Sequence, residues 1–193
     1  MVELLAVIAV VGILAALASP SYTRIMRSRR MSSAAQEVAD LARVARSRAM
    51  GRGSAMLFRW AASANGSSLE TQQVTIREAI VGSGADMYRP ATSCFQTNWQ
   101  SNSNSRYVGG IHVKAQQYQP SKARFYDVNG AVRSFAELCF TPRGRTFVRY
   151  SGGSAKFVPL NGVPRLQIAN TETGRQRVVV LPPNGAARVV TRL

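Results

Sequence analysis

The chain has 193 residues and a formal net charge of +16, with 25 lysines and arginines against nine acidic residues. That length suits one domain better than several, and the shortage of acids points to acidic or polyanionic surroundings. The single histidine and two cysteines show no metal-ligand spacing, and no glycine-rich phosphate loop joins a strand to a helix, so no metal, cofactor or catalytic residue is assigned and the chain reads as a non-enzyme.

The first predicted element is the run MVELLAVIAVVGILAALA over residues 1–18. As a helix it extends roughly 30 Å, the thickness of a bilayer core. A cleavable secretory signal would place basic residues before a shorter apolar core and a small-residue cleavage site after it. Here Pro20 follows and the helical pattern then resumes. One carboxylate, Glu3, interrupts the run. At membrane depth it requires a partner or must snorkel to the interface.

The helix is predicted to continue. Ser32, Ala34, Ala35, Val38, Leu41, Ala42, Ala45 and Ala49 recur at three- and four-residue steps, which lays one apolar stripe along a helix. Glu37, Arg43 and Arg46 fall off that stripe. Pro20 is expected to kink the helix, because it removes a hydrogen bond and crowds the preceding turn. Gly51 and Gly53 end the pattern. The chain therefore divides into a transmembrane half-helix (1–20), an amphipathic half-helix (21–52) and a β-rich head (53–193).

In the head the apolar period changes to two. Residues 55–60 (AMLFRW), 73–81, 111–118, 124–128, 138–141, 145–150, 165–169 and 177–181 read as strands. Asn65-Gly66, Asn129-Gly130, Asn161-Gly162 and Asn184-Gly185 supply turn signals. Residues 101–105 (SNSNS) read as a polar loop. Strand follows strand without intervening helices, so the predicted class is α+β, with a long helix on mostly antiparallel sheet, divided into one or two sheets.

The segment MVELLAVIAVVGILAALASPSYTRI resembles the N-terminus of type IV pilins and type II secretion pseudopilins, with Glu3, Gly12, Pro20 and Tyr22 at matching spacings. The resemblance implies a pilin-like fold and polymerisation through the apolar stem. It also implies a basic leader and a Phe-Thr pair upstream of Met1, with the leader removed by a prepilin peptidase. The Glu3 carboxylate would then neutralise the terminal amine of a neighbouring subunit. The implied partners are other pilin or pseudopilin subunits, the inner-membrane assembly platform and inner-membrane lipid. The implied location is the bacterial inner membrane, crossed once, with the head in the periplasm.

Further along, FTPRGRTFVR and GRQRVVVLPPNGAARVV resemble the head shared by type II secretion protein H and the FimT-type minor pilins. Two roles follow. One is a minor pseudopilin near the tip of a periplasmic filament used in protein secretion. The other is a minor pilin that binds DNA non-specifically during natural transformation. The resemblance ties the second role to a G-R-x-R motif, matched by Gly174-Arg175-Gln176-Arg177. An alternative alignment falls on 185–188 and retains only Arg188.

Charge bears on the same choice. Residues 143–193 hold Arg143, Arg145, Arg149, Lys156, Arg165, Arg175, Arg177, Arg188 and Arg192 against Glu172 alone. That density suits sequence-tolerant, salt-sensitive phosphate binding, led by Arg143, Arg145, Arg175, Arg177 and Arg188. A solvated basic surface or docking on acidic filament neighbours explains it equally. Trp60, Trp99 and Tyr150 are candidates for stacking on bases, or for the core. Arg24, Arg27, Arg29 and Arg30 form a second cluster beside the apolar run, suited to anionic headgroups, acidic neighbours or plain solvent. Cys94 and Cys139 are either a disulfide across a long loop or a pair of core thiols.

Overall fold

The computed structural model describes residues 2–63, 71–81, 89–95, 99, 105–151 and 156–191, with backbone alone at 2, 5, 6, 14–21, 63, 71, 81, 89 and 90. One helix, α1 (Val2–Arg52), opens the fold over 51 residues. At the usual rise it is about 75 Å long. It passes Pro20 without interruption. The Pro20 side chain lies outside the described residues. Gly53 takes a φ of +68°, the left-handed conformation that ends helices, directly after Arg52 in the last turn.

Seven strands make the first sheet: β1 (Met56–Ser63), β2 (Thr71–Val81), β3 (Arg89–Pro90), β4 (Ser105–His112), β7 (Phe135–Phe140), β8 (Thr146–Arg149) and β9 (Val158–Pro159). Their order is β3-β2-β1-β7-β8-β9, with β4 also against β2. The second sheet has five: β5 (Ser121–Tyr126), β6 (Val132–Arg133), β10 (Arg165–Asn170), β11 (Gln176–Val180) and β12 (Arg188–Val190). Its order is β12-β11-β10-β5-β6. Every pairing is antiparallel.

Both sheets close on one face of α1. Met31, Ala34, Ala35, Val38, Ala39, Ala42, Ala45 and Ala49 are buried there. They meet Met56, Phe58, Trp60, Val74, Ile76 and Leu138 of the first sheet and Phe125, Leu166, Ile168 and Val179 of the second. Alanine at most of these positions brings the helix axis close to the strands, and the sheets supply the bulk that the helix lacks. Across the first sheet a smaller core gathers Leu57, Ala79, Cys94, Trp99, Cys139 and Phe157.

Three local expectations are corrected. The strand predicted over 111–118 stops at His112, and Gln116–Tyr118 is a single 3₁₀ turn. The chain crosses between sheets here, and Pro120 has no N–H to extend a ladder. Ser105 belongs to β4 rather than to a loop, because it pairs with Ala79 of β2; its buried hydroxyl donates to the Trp99 carbonyl at 2.6 Å. Asn161-Gly162 joins β9 to β10 in different sheets, so it makes no hairpin. Asn65-Gly66 and 101–104 fall outside the described residues.

Candidate functional site

The apolar run forms the start of α1, and its described side chains are exposed. Leu4 is 67% exposed and Ile8 60%, with Val7, Val10, Val11 and Ile13 similarly open. Glu3 sits in the first turn, where the helix dipole favours a negative charge. It is exposed among these apolar neighbours. Among the described residues, no helix is long and apolar enough to cross a membrane. The side chains of 14–21, which complete the predicted span, are not among them.

Polar residues beside the buried stripe hold the head to the helix. Arg46 donates from Nη1 to the carbonyls of Pro183 and Gly185, and from Nη2 to the Gly144 carbonyl at 3.1 Å. Arg43 donates from Nε to the Ala187 carbonyl at 2.9 Å. The Tyr118 hydroxyl donates to Glu37. Nearer the N-terminal end of α1, Arg27 pairs with Glu172 in the β10–β11 turn. Sequence periodicity set Glu37, Arg43 and Arg46 aside as off-stripe. They are the rim of the helix–sheet contact.

The described acids of the head are spoken for. Glu78 takes Arg52, Arg106 and the Ser54 hydroxyl. Glu137 takes Arg149 and, at 3.7 Å, Arg59. Asp127 takes Arg133 and the N–H groups of Asn129 and Ala131. Burial alone would raise the Asp127 carboxyl, but these hydrogen bonds and the Arg133 charge outweigh it and hold the group below its ordinary value. Asp40 takes Arg43. Each described carboxylate of the head thus already has a cation or hydroxyl partner in the chain.

The five predicted anion-binding arginines fall in separate places. Arg143 and Arg145 flank Gly144 in the β7–β8 turn, both exposed, and Gly144 has a φ of +78°. Arg188 opens β12, on the side of the second sheet away from α1. Register lines it up there with Val180 and then Arg165, beside Tyr126. Lys122 and Arg124 of β5 share that outer side, which carries no acid among the described residues. Arg165 lies 5.1 Å from the Tyr126 ring centre. Arg175 is exposed in the β10–β11 turn, near the Arg27–Glu172 pair. Arg177 stands opposite Ile168 on the helix-facing side, half-buried. Arg149, counted with the basic set by sequence, is buried against Glu137 and the Phe157 ring.

Trp60 and Trp99 are buried, and their indole N–H groups bond to the Arg133 and Cys94 carbonyls, so neither is open to stack on a base. Tyr150 is half-buried beneath Arg133. The aromatic that sequence reasoning missed is Phe95, which is 60% exposed. It lines an open cleft of about 430 Å³ with Arg143, Arg145, Phe147, Thr92 and Thr141. Its only sequence signal was its place next to Cys94. That cysteine is bonded to Cys139, with Cα atoms 5.9 Å apart.

No family model matches the chain, and no curated protein does. Among solved structures, the type IV minor pilin FimU of Pseudomonas aeruginosa (strain PAO1) is similar. It is 16% identical, with 88% of this chain and 92% of that chain covered and a TM-score of 0.46.

Proposed function

We propose that this chain is a structural subunit of a pilin-type filament, and more narrowly a minor pseudopilin near the tip of the periplasmic filament of a type II secretion system. The observation that carries the reading is the two-part helix. Its second half is sealed into the head, while its first part exposes Leu4, Val7, Ile8, Val10, Val11 and Ile13 around Glu3. A rod of this kind needs a cover that its own head does not provide. Inner-membrane lipid supplies that cover before assembly, and the stems of neighbouring subunits supply it afterwards. Glu3 then sets the register, since its charge is tolerable in an apolar bundle only beside an opposite charge. Prepilin peptidase and the inner-membrane assembly platform are the partners this life cycle requires. The Cys94–Cys139 bond suits an oxidising compartment such as the periplasm.

The test is incorporation. Glu3→Ala is expected to leave the head folded and the chain membrane-bound, yet to abolish cross-linking to neighbouring subunits in cells. Wild-type cross-linking by Glu3→Ala overturns the reading.

A second reading has its own support. It makes the chain a FimT-like minor pilin that holds DNA through its basic surface. The favouring observation is the imbalance of charge: each described acid of the head is engaged, whereas Arg143, Arg145, Arg175 and Arg188 are all exposed. A surface of that kind binds polyanions through counterion release, so binding must fall steeply with salt. Absence of DNA binding at low salt removes this reading and leaves the first intact.

A further inference from the structure

We propose that the cleft between the 92–95 loop and the β7–β8 turn binds an unstacked nucleotide, base and phosphate together, presented by a single-stranded nucleic acid. The proposal rests on the polyanion reading above and names which polyanion and where. The cleft's volume of about 430 Å³ falls within the range of small-ligand pockets, about 300–1,000 Å³.

One wall is aromatic. Phe95 is exposed at the mouth, and Phe147 braces it edge-on, with ring centres 5.6 Å apart and planes at 68°. The backbone beneath Phe95 is tied twice. Its N–H donates to the Ser93 hydroxyl at 3.1 Å, and the adjacent Cys94 is bonded to Cys139 of β7. A large apolar ring held open in this way is a platform for another flat ring.

The facing wall is cationic. Arg143 and Arg145 stand on either side of Gly144, whose carbonyl is held by Arg46. Their planar forks suit phosphate oxygens, and among the described residues no carboxylate lines the cleft to compete for them. The Thr92 and Ser93 hydroxyls add polar partners at the rim. A duplex keeps its bases stacked on one another and offers Phe95 nothing. A single strand can turn a base onto the ring while its phosphate meets the arginines. An acidic peptide would use the arginines but leave the ring without a partner.

The experiment uses the full chain in detergent micelles and fluorescence anisotropy at low salt. The probes are labelled oligothymidylate, the same strand paired with oligodeoxyadenylate, and a polyglutamate peptide. Phe95→Leu is expected to weaken single-strand binding roughly tenfold and to leave duplex binding unchanged, with Phe95→Trp restoring it. Arg143→Gln with Arg145→Gln is expected to weaken single-strand binding at least as much. Competition by thymidine monophosphate at matching concentration assigns the site to free nucleotide; its failure assigns the site to the strand. Unchanged single-strand affinity in Phe95→Leu, or equal binding of polyglutamate, overturns the inference while salt-sensitive duplex binding keeps the polyanion reading. No binding of any nucleic acid at low salt overturns both.

Discussion

Arg46 Nη1 lies 2.9 Å from the carbonyl oxygen of Pro183. The same guanidinium reaches Gly185 at 3.2 Å and Gly144 at 3.1 Å, so one helix side chain holds the β7–β8 turn and the β11–β12 connection together. Arg46→Ala frees all three carbonyls and is expected to lower the unfolding free energy by about 2 kcal/mol. Arg46→Lys keeps the charge but not the fork, and recovers only part of that. Urea denaturation gives the loss, and hydrogen exchange should rise at 181–190 before it rises in β1 or β7.

That contact marks where sequence reading stopped. The alanine stripe from Ala34 to Ala49 was legible, because burial on a helix repeats with the helical turn. Helix-edge residues follow no such rule. Glu37, Arg43 and Arg46 simply fell off the stripe, and only the path of the distant residues 118 and 183–187 made them contacts. Cross-strand register was equally hidden. Arg149 looked like one more surface cation, until the β7–β8 turn set it opposite Glu137. The basic excess itself was readable from composition. Its division among a cleft, an outer sheet side and a turn was not, since that depends on which strands join which sheet. Phe95 had no period to announce it, as loops have none.

Glu137 and Arg149 form an ion pair inside the head, with Arg59 3.7 Å from the same carboxylate. Removing one partner leaves the other charge buried. Arg149→Met is therefore expected to destabilise the fold by about 3–5 kcal/mol. Adding Glu137→Met in the same chain replaces charge with apolar volume and should recover most of the loss. Chemical denaturation of the two single variants and the double variant gives the coupling, and additive losses would argue against it.

Two side chains give the stability profile its ends. Burial, followed by the hydrogen bond and charge of Glu37, raises the Tyr118 hydroxyl from 10.0 to about 12. The folded chain keeps this proton where the unfolded chain has released it. Its contribution is complete below pH 10 and is lost as the pH rises from about 10 to about 12. Tyr118→Phe should flatten that alkaline decline. Asp127 works in the opposite direction, because its folded carboxyl is held below the ordinary 3.8. Its contribution is present above that value and disappears as the pH falls through the folded one, so Asp127→Asn should blunt the acid limb. Thermal melts across both ranges test the pair.

The disulfide links stability to the cleft. Cys94 and Cys139 close a loop with a sequence separation of 45. Constraint of the unfolded chain by such a loop is worth about 4 kcal/mol. For a domain of this size that corresponds to a fall in Tm of roughly 10 °C when the bond is removed. Cys94→Ala with Cys139→Ala should show that fall without reductant and no further change with it, whereas wild type should fall only when reduced. The bond also fixes the backbone beside Phe95, which sits over β8 against Phe147. Loss of the link therefore frees the ring as well as the loop. Below its melting temperature the double variant should keep the far-ultraviolet signature of the sheets while the amide of Phe95 exchanges faster. A Tm insensitive to reductant in the wild type would show that the loop gains nothing from closure.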